Sequence, residues 1–373
     1  MLTVINYSNA LEREVAETPF WTEAQRKQAI ALCAPVYLEI SVSLWQQLCQ
    51  AVAALDQLLN SESHRQEALG REELSLNDAP GGHGAFICYD FHWRKNEGLR
   101  LIEVNSNAGG LLLNDWLRQH TDRWRGLPSS SVVPVVEQMF KEHWQQTGAR
   151  QPLRRIVIVD HQPEQQILYP EFLLYAERLR ERGFIVEICD IGDLYQYSYA
   201  TEHADCLIYN RLTDFYLKNV PDWQKLHWVP SPATFAIYAD KRNLLDLQQQ
   251  QSVAPWVLAC RGVAEQPMEW WWAQRNDWFF KPSEGYAAKA AYRGARISRK
   301  VLQWICEQNN YLAQEYFPAT EVDSPGWGRY KVDLRVFSYA GQPLLLCARL
   351  YQGQLTNMRT SGGGFAPVYV RNG

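Results

Sequence analysis

The sequence predicts a mixed fold in which an α/β unit is combined with α+β parts, and three observations support this prediction. Apolar residues recur every three or four residues through Ile30–Leu59, and glycine is absent before Gly70, so residues 1–78 are predicted to form an N-terminal helical region. Residues 151–232 alternate short apolar strands with an amphipathic helix, which is the pattern of a parallel βαβ lobe. Residues 233–373 mix helices with long strand candidates that suit an antiparallel sheet.

Residues 79–150 connect the first two segments. Strands and tight turns are predicted over Gly81–Gly110, followed by helices with a break near Gly126–Pro128. The elements predicted in the parallel lobe are Ile156–Asp160, Tyr169–Arg182, Phe184–Ile188 and Cys206–Tyr209. Pro230 and Pro232 are predicted to lie in a linker. The later strand candidates are Trp278–Lys281, Tyr311–Phe317, Leu334–Tyr339, Leu344–Tyr351 and Leu355–Arg359.

The composition is that of a globular protein of enzyme size. The 373 residues are 46% hydrophobic and 21% charged, and a net charge of −4 argues against a nucleic-acid partner. The eight cysteines form no Cys-x-x-Cys pair, and Glu12-Arg13-Glu14 stands where a signal peptide would need its apolar core. No uncharged apolar run reaches the length of a membrane span. We therefore expect a cytoplasmic protein without a membrane partner.

The sharpest local signal is a pair of strands joined by a turn. Lys95-Asn96-Glu97-Gly98 consists of turn-forming residues; Asp90 precedes this turn, and Glu103 and Asn105 follow it. A four-residue loop would pair Arg94 with Leu99, His92 with Leu101 and Asp90 with Glu103. Asn105 lies two residues beyond Glu103, so the pleat of the strand places it on the same face.

Two carboxylates and an amide oxygen therefore converge at Asp90, Glu103 and Asn105. Such hard oxygen ligands suit Mg²⁺, which proteins usually hold with a few carboxylates together with substrate phosphates. Taken alone, Glu-x-Asn is more typical of a solvated outer face, but the independently predicted register of Asp90 favours a metal. On this interpretation, neutralising Asp90 or Glu103 should stop turnover while the stability of the apoprotein stays equal or rises, because crowded negative charges repel one another.

These residues resemble the metal-binding strands of the ATP-grasp ligases, in which an Asp and a Glu-x-Asn hold two Mg²⁺ ions. In D-alanine–D-alanine ligases and bacterial glutathione synthetases this hairpin closes the chain, whereas here it precedes the other motifs. Eukaryotic glutathione synthetases and glutathionylspermidine synthetases share this circularly permuted order. The resemblance implies a permuted ATP-grasp fold with the metal-binding hairpin in 79–150, the substrate lobe in 151–232 and the nucleotide-binding region in 233–373.

The resemblance also implies an ATP site with Mg²⁺. Lys241 and Lys281 match the two lysines that hold the ATP phosphates, and Pro282–Lys289 resembles the flexible phosphate-covering loop. Glu284 occupies roughly the place of a further metal-binding Glu. Ala313–Phe317 resembles the hinge strand on which adenine lies, and the residues implied to contact the nucleotide there are Gln314, Glu315 and Phe317, with Glu315 taking the ribose.

Arginines complete the implied site. Asp333-Leu-Arg335 resembles the Asp-x-Arg pattern of the class, Ala348-Arg349 a strand of bacterial glutathione synthetases, and Arg359 belongs to the strand before the glycine-rich loop. These three are implied to be catalytic, with Arg359 also binding substrate, because guanidinium groups suit triphosphate and acyl phosphate. Arg211 matches an acceptor-substrate arginine. Cys88 departs from the eukaryotic glutathione synthetases, which have a substrate-recognising arginine there.

The function implied is an ATP- and Mg²⁺-dependent carboxylate–amine ligase that forms an amide through an acyl phosphate. Its partners would be a small carboxylate and a small amine, and a homodimer is one possible state. Two alternatives stay open at this point. One is an ATP-grasp kinase, which would make a phosphorylated product and no amide. The other is a non-catalytic nucleotide-binding module, which would typically lack the metal carboxylates.

Overall fold

A computed structural model describes residues 2–7, 15, 18–74, 85–194, 205–285, 290–324, 326–354, 356–357 and 360–371. The α-helices are α1 (Glu23–Leu32), α2 (Val42–Leu59), α3 (Glu62–Gly70), α4 (Leu111–Arg125), α5 (Val133–Gln146), α6 (Tyr169–Glu181), α7 (Pro232–Thr234), α8 (Asn243–Leu247), α9 (Met268–Gln274) and α10 (Arg299–Cys306). A π-helix, Phe235–Ala239, directly follows α7. Within the described ranges, no helix is long and apolar enough to cross a membrane.

The strands of the described residues form three sheets. The largest has the order β1-β2-β16-β15-β14-β3-β4, with β13 also paired to β14. Its strands are β1 (Thr3–Asn6), β2 (Val36–Ser41), β3 (Ile87–Arg94), β4 (Gly98–Asn105), β13 (Thr320–Ser324), β14 (Gly328–Tyr339), β15 (Gln342–Tyr351) and β16 (Gly364–Arg371). The parallel sheet, in the order β6-β5-β7-β8, contains β5 (Arg155–Asp160), β6 (Ile185–Asp190), β7 (Cys206–Asn210) and β8 (Trp228–Val229). The small sheet, in the order β11-β10-β12-β9, contains β9 (Cys260–Gly262), β10 (Trp278–Pro282), β11 (Tyr292–Arg293) and β12 (Tyr311–Glu315).

The large sheet draws its strands from three distant parts of the chain. The prediction of a helical region over residues 1–78 is confirmed for α1, α2 and α3 but wrong for β1 and β2. Strand β2 is almost wholly buried and pairs in parallel with β16, with Val368 opposite Leu38. Its apolar residues lie within a longer apolar stretch, so their period could not be separated from that of the flanking helices. The predicted strands end with Leu355–Arg359, so the sequence-based prediction also missed β16.

The β3–β4 hairpin confirms the predicted pairing of Asp90 with Glu103, but through a different register. Gly98, at a φ of 81°, is already in β4 and pairs with Arg94, so the loop has one residue fewer than predicted. The pairs predicted for Arg94 and His92 are therefore wrong. A register shift between Asp90 and Phe91 then brings Asp90 back opposite Glu103. Such a bulge depends on tertiary contacts that the turn residues do not report.

The parallel βαβ lobe is confirmed. β5 pairs in parallel with both β6 and β7, and α6 packs on the sheet. The segment around Pro230 and Pro232 is buried and not exposed, as the predicted linker would be. Residues 228–241 are buried, and the π-helix within them belongs to the same apolar core as β3 and β14. This stretch ends at Lys241, so a buried and well-supported segment leads into one of the predicted phosphate-binding residues.

The small sheet lies against the edge of the large one. The backbone N–H of Leu101 donates to the carbonyl of Trp256, and Leu101 forms a bridge with Val257. The fully buried Trp271 of α9 packs in the same apolar core as Phe280 and Ala313 of the small sheet. The edge strand β4, which carries Glu103, thus faces the strands that carry Lys281.

Candidate active site

Asp90 lies at the centre of a buried group of charges on the large sheet. Arg335 on β14 holds it with two parallel hydrogen bonds, from Nε to Oδ1 and from Nη2 to Oδ2, each 2.7 Å long. Arg349 on β15 adds a third, 3.0 Å from Nη2 to Oδ2. Asp90 and Arg335 are both buried, so this is a bidentate pair in a low-dielectric environment.

In this arrangement the counter-charges of Asp90 are arginines, and its predicted role as a metal ligand stays a prediction. The sequence argument holds that converging carboxylates need a cation, and that argument is sound, but the cations are the protein's own guanidinium groups. In the described part of the chain, no group of three or more His, Cys, Asp or Glu side chains could hold a metal. Arg335 is committed in the same way, since its third nitrogen, Nη1, donates to the carbonyl of Gly109 over 3.1 Å. Asp90 and Arg335 therefore hold each other, and the backbone at Gly109, in place.

Glu103 and Asn105 lie beside Asp90, as predicted. The Asn105 amide donates to Asp90 Oδ2 over 3.0 Å and to Glu103 Oε1 over 3.4 Å, which leaves its own oxygen directed elsewhere. Burial alone would raise the pKa of Glu103, but the positive charges of Lys241, Arg349 and Lys281 together lower it to about 2. Glu103 is therefore ionised at all physiological pH values and surrounded by cations. The sequence-based picture of acids repelling one another does not hold here.

Lys241 and Lys281 come together around Glu103. The Lys281 ammonium donates to the carbonyl of Ile102 on β4 over 2.9 Å and to Gln314 Oε1 over 2.6 Å. The Lys241 ammonium donates to the carbonyl of Gly285 over 2.7 Å. Burial lowers the pKa of both lysines, that of Lys281 to about 8, while the charge of Glu103 opposes the shift. Two buried ammonium groups with lowered pKa values mark a place where positive charge is only partly compensated.

An unpaired hydrogen-bond donor also indicates that the positive charge in this site is only partly compensated. In the described residues, Arg349 Nε is buried and has no hydrogen-bond partner. Four cations (Lys241, Lys281, Arg335 and Arg349) surround Glu103, while Asp90 and Asp333 supply the other negative charges. A buried donor without a partner costs stability unless a ligand satisfies it. The residues present therefore fit an anion such as a phosphate chain.

His92 and Thr356 extend this network and were missed at the sequence level. His92 Nδ1 lies 2.8 Å from the Phe317 carbonyl oxygen, and Nε2 lies 2.8 Å from Asp333 Oδ1, so the imidazole ring links Phe317 to Asp333. Asp333 Oδ2 accepts from Arg349 Nη2 at 3.1 Å and from Thr356 Oγ1 at 2.5 Å. Burial would raise the pKa of Asp333, but the His92 hydrogen bond and the Arg349 charge lower it overall. The position of His92 two residues after Asp90, on the same face of a strand, was the available signal.

The strand predicted to bind adenine is present as β12, but much of its backbone is already bonded. Glu315 N–H donates to Ala259, Tyr316 N–H donates to Asp277, and the Phe317 carbonyl accepts from His92. Gln314 is buried against Lys281, whereas the Glu315 side chain is exposed. The structure thus brings Gln314 into the charged group and keeps Glu315 outside it.

One other predicted residue stands apart. Glu284 pairs with Lys218, whose Nζ lies 2.9 Å from Oε1, and it is not among the charges that act on Glu103. Its role as a further metal ligand therefore stays a prediction. Arg359 and residues 286–289 of the predicted phosphate-covering loop lie outside the described residues.

Arg211 lies across Gly109 from the central charges. Its Nη1 donates to Asn107 Oδ1 over 2.8 Å, and its buried Nε has no partner among the described residues. A side chain on Gly109 would come within 3.2 Å of Arg211 Nη2, and the Gly109 carbonyl accepts from Arg335. Glu171, another buried acid that sequence reasoning missed, caps α4 by accepting from the N–H groups of Gly110 and Leu112. Arg211 is therefore adjacent to the buried group of charges around Asp90.

Comparison with known proteins adds a fold but no activity. No protein-family model matches the sequence, and no curated protein is similar to it in sequence. The structure is similar to that of a glutathione synthetase-like effector from Globodera pallida in its apo form, with a TM-score of 0.57, 12% identity and 98% of each chain covered. A protein described as a gamma-glutamylcysteine synthetase from Methylobacillus flagellatus gives a TM-score of 0.43, 11% identity and 83% coverage of each chain. The first similarity shows a mixed α and β fold of the glutathione synthetase-like kind.

Proposed function

We propose that this protein is an ATP- and Mg²⁺-dependent carboxylate–amine ligase with a circularly permuted ATP-grasp fold. The observation that carries the proposal is the group of cations around Glu103 of β4, which comes from β10, β14 and β15 together with Lys241. These residues are far apart in sequence and meet where the large and small sheets touch. The glutathione synthetase-like fold supports the proposal, because the order of the sequence motifs independently resembles that of glutathione synthetases.

Glu103 and Asn105 are the residues that would hold Mg²⁺. Glu103 is an ionised carboxylate, and the Asn105 oxygen is not used to bind Asp90 or Glu103. Mg²⁺ bound by one or two protein oxygens normally takes its other ligands from substrate phosphates and water, which suits such a small donor set. Bound there, the metal would neutralise charge on the phosphates. Asp90 would orient Arg335, Arg349 and Asn105 and would not contact the metal.

The reaction requires positioning and charge neutralisation from the protein. A substrate carboxylate oxygen attacks the γ-phosphorus of ATP, the bond to the β-phosphate oxygen breaks, and ADP leaves. The amine nitrogen then attacks the acyl carbon of the acyl phosphate, inorganic phosphate leaves, and the amine loses a proton to solvent. Lys241 and Lys281 would hold the ATP phosphates, and the unpaired Nε of Arg349 would bind the transferring phosphoryl group. Arg211, on the far side of Gly109, would anchor the carboxylate substrate.

The decisive experiment measures ADP, inorganic phosphate and amide product with purified protein, Mg-ATP and panels of amino acids, short peptides and polyamines. A ligase releases phosphate only when both an acid and an amine are present, and an amide accumulates in equal amount. Phosphorylated product without free phosphate would instead identify a kinase. ATP binding without turnover of any panel member would favour a non-catalytic nucleotide-binding module.

Mg-ATP is expected to stabilise the folded protein. A ligand that binds only the native state adds about 2.7 kcal/mol at one hundred times its dissociation constant, so thermal unfolding should shift upward clearly. The Glu103→Gln variant should retain a shift with ATP alone and lose the additional shift that Mg²⁺ produces. Absence of any shift at millimolar Mg-ATP with the wild-type protein would contradict the proposal.

The affinity for Mg-ATP is expected to depend on pH through Lys281. Its pKa is about 8 without ligand, and bound phosphates favour the charged form. Affinity should therefore be constant below pH 8 with respect to this group and fall by up to about tenfold per pH unit above it, since binding must then take up a proton. Calorimetric titration at pH 7, 8 and 9 measures this. In Lys281→Met the residual affinity should show no such fall; an identical slope in both proteins would refute the assignment.

A further inference from the structure

The backbone that precedes Lys241 leaves its helix in an unusual way. Residues Phe235–Ala239 form a π-helix, which ends when Asp240 N–H bonds back to the Phe235 carbonyl over 3.0 Å. A continuing helix would next use the N–H of Lys241, but that group instead donates to the Ser283 carbonyl over 3.2 Å. The backbone of Lys241 is therefore hydrogen-bonded to the end of β10 and does not continue the helix. Short π-helical segments of this kind are frequent at functional sites.

The departure of the chain diverts the N–H groups of Lys241 and Arg242, which a continuing π-helix would use to bond the buried carbonyls of Ala236 and Ile237. Asn243, which is 2% exposed, satisfies both: its Nδ2 donates to the Ala236 carbonyl over 2.9 Å and to the Ile237 carbonyl over 3.0 Å. His64 on α3 also bonds the Ile237 carbonyl, with Nε2 2.9 Å away. Because buried carbonyls are costly to leave unpaired, the carboxamide of Asn243 stabilises the exit of the chain towards Lys241.

The carboxamide is itself oriented from outside. Arg71, just after α3, donates from Nη2 to Asn243 Oδ1 over 2.8 Å and to Asp246 Oδ2 over 2.9 Å. Every hydrogen-bonding group of the Asn243 side chain is thus engaged, and its rotation is prevented. On the other side of Lys241, Asp240 is held by Arg242 and by Tyr216, whose hydroxyl lies 2.7 Å from Oδ2. The backbone that carries Lys241 is therefore fixed on both sides by side chains that do not reach Glu103.

We infer that Asn243 is a positioning residue for Lys241, acting through the π-helix and not by contact with nucleotide. The inference rests on the proposed function, in which the Lys241 ammonium binds ATP phosphates. It assigns a role in nucleotide binding to contacts between the N-terminal helix α3 and the segment 235–243.

The test is a set of Mg-ATP dissociation constants measured by calorimetry for single and double variants. Asn243→Leu keeps the size of the side chain and removes its hydrogen bonds, and it should weaken Mg-ATP binding by about tenfold, as Lys241→Met should. The double variant should bind no more weakly than Lys241→Met alone, because Asn243 acts through Lys241. Gln248→Met is the matched control, since Gln248 bonds both backbone groups of Cys260 in the same region but lies away from Lys241. Its affinity should change by less than about twofold.

A second variant covers the case in which Asn243→Leu does not fold. Arg71→Met removes the contact that orients the carboxamide, together with the ion pair to Asp246, and leaves Asn243 in place. It should weaken binding by about threefold in the wild-type background and not at all beside Lys241→Met. Unchanged affinity in Asn243→Leu or Arg71→Met, or effects that add to that of Lys241→Met, would overturn the inference while leaving the proposed function intact. Unchanged affinity in Lys241→Met would overturn both.

Discussion

Replacing Asp90 with asparagine is expected to lower the free energy of unfolding by about 3 to 5 kcal/mol, the range measured when one partner of a buried ion pair is removed. Asp90 accepts two hydrogen bonds from Arg335 and one from Arg349, and both arginines are largely buried. A neutral amide cannot balance their charges, and it presents a donor where one of the guanidinium groups also donates. Chemical denaturation with and without the substitution measures this.

The matched control is Asp323→Asn. Asp323 pairs with Arg329 over 3.3 Å, but both side chains are well exposed, so the loss should be within about 0.5 kcal/mol. The expected result for Asp90 is opposite to the one drawn from sequence, where relief of repulsion between two acids predicts equal or greater stability. A loss below about 1 kcal/mol for Asp90→Asn would mean that the arginines find another counter-charge, such as Glu103, and that Asp90 is available to a metal after all.

Replacing Lys281 with methionine is expected to lower ATP-dependent turnover by about 10² to 10³, the usual effect of removing one preorganised charge-stabilising donor. The stability of the apoprotein should change little. Methionine removes a buried charge whose pKa is lowered to about 8, but it also loses the bonds to Ile102 and Gln314, and these effects oppose each other to within roughly 1 kcal/mol.

Turnover and stability must be measured on the same preparation, because their divergence is the diagnostic result. Lys225→Met provides a matched control: Lys225 pairs with Asp222 over 2.8 Å, and both side chains are exposed. It should leave turnover unchanged. Loss of stability in parallel with turnover in Lys281→Met would indicate a structural lysine and remove it from the proposed phosphate site.

Several parts of the site could be predicted because they depend on short sequence distances. The hairpin that carries Asp90 and Glu103 follows from a turn between two strands, although their exact pairing depends on the bulge. The parallel lobe follows from strands and a helix that are consecutive in the chain. Lys241 and Lys281 followed from their resemblance to known motifs, and the structure places both near Glu103. Their roles in phosphate binding remain proposals.

Other parts depended on contacts between segments that are hundreds of residues apart. Nothing in the local sequence shows that Arg335 lies opposite Asp90, a separation of 245 residues, and this contact gives Asp90 a guanidinium partner that the metal-site prediction did not include. The same holds for His92, which joins the end of β12 to Asp333. In each case the role of the side chain depends on the charged group with which it pairs, and that group lies on another strand.

By itself, the sequence determined which segments form strands and helices in most of the chain, and which acidic and basic residues could reach a common site. Periodicity and turn chemistry are local properties, so a single sequence suffices to reveal them. The tertiary structure alone decided that β16 joins β2 in the large sheet, that Asp90 is paired with arginines, and that Asn243 supports the backbone before Lys241. These are matters of charge compensation and hydrogen-bond satisfaction in a buried environment, and they depend on every segment that meets there.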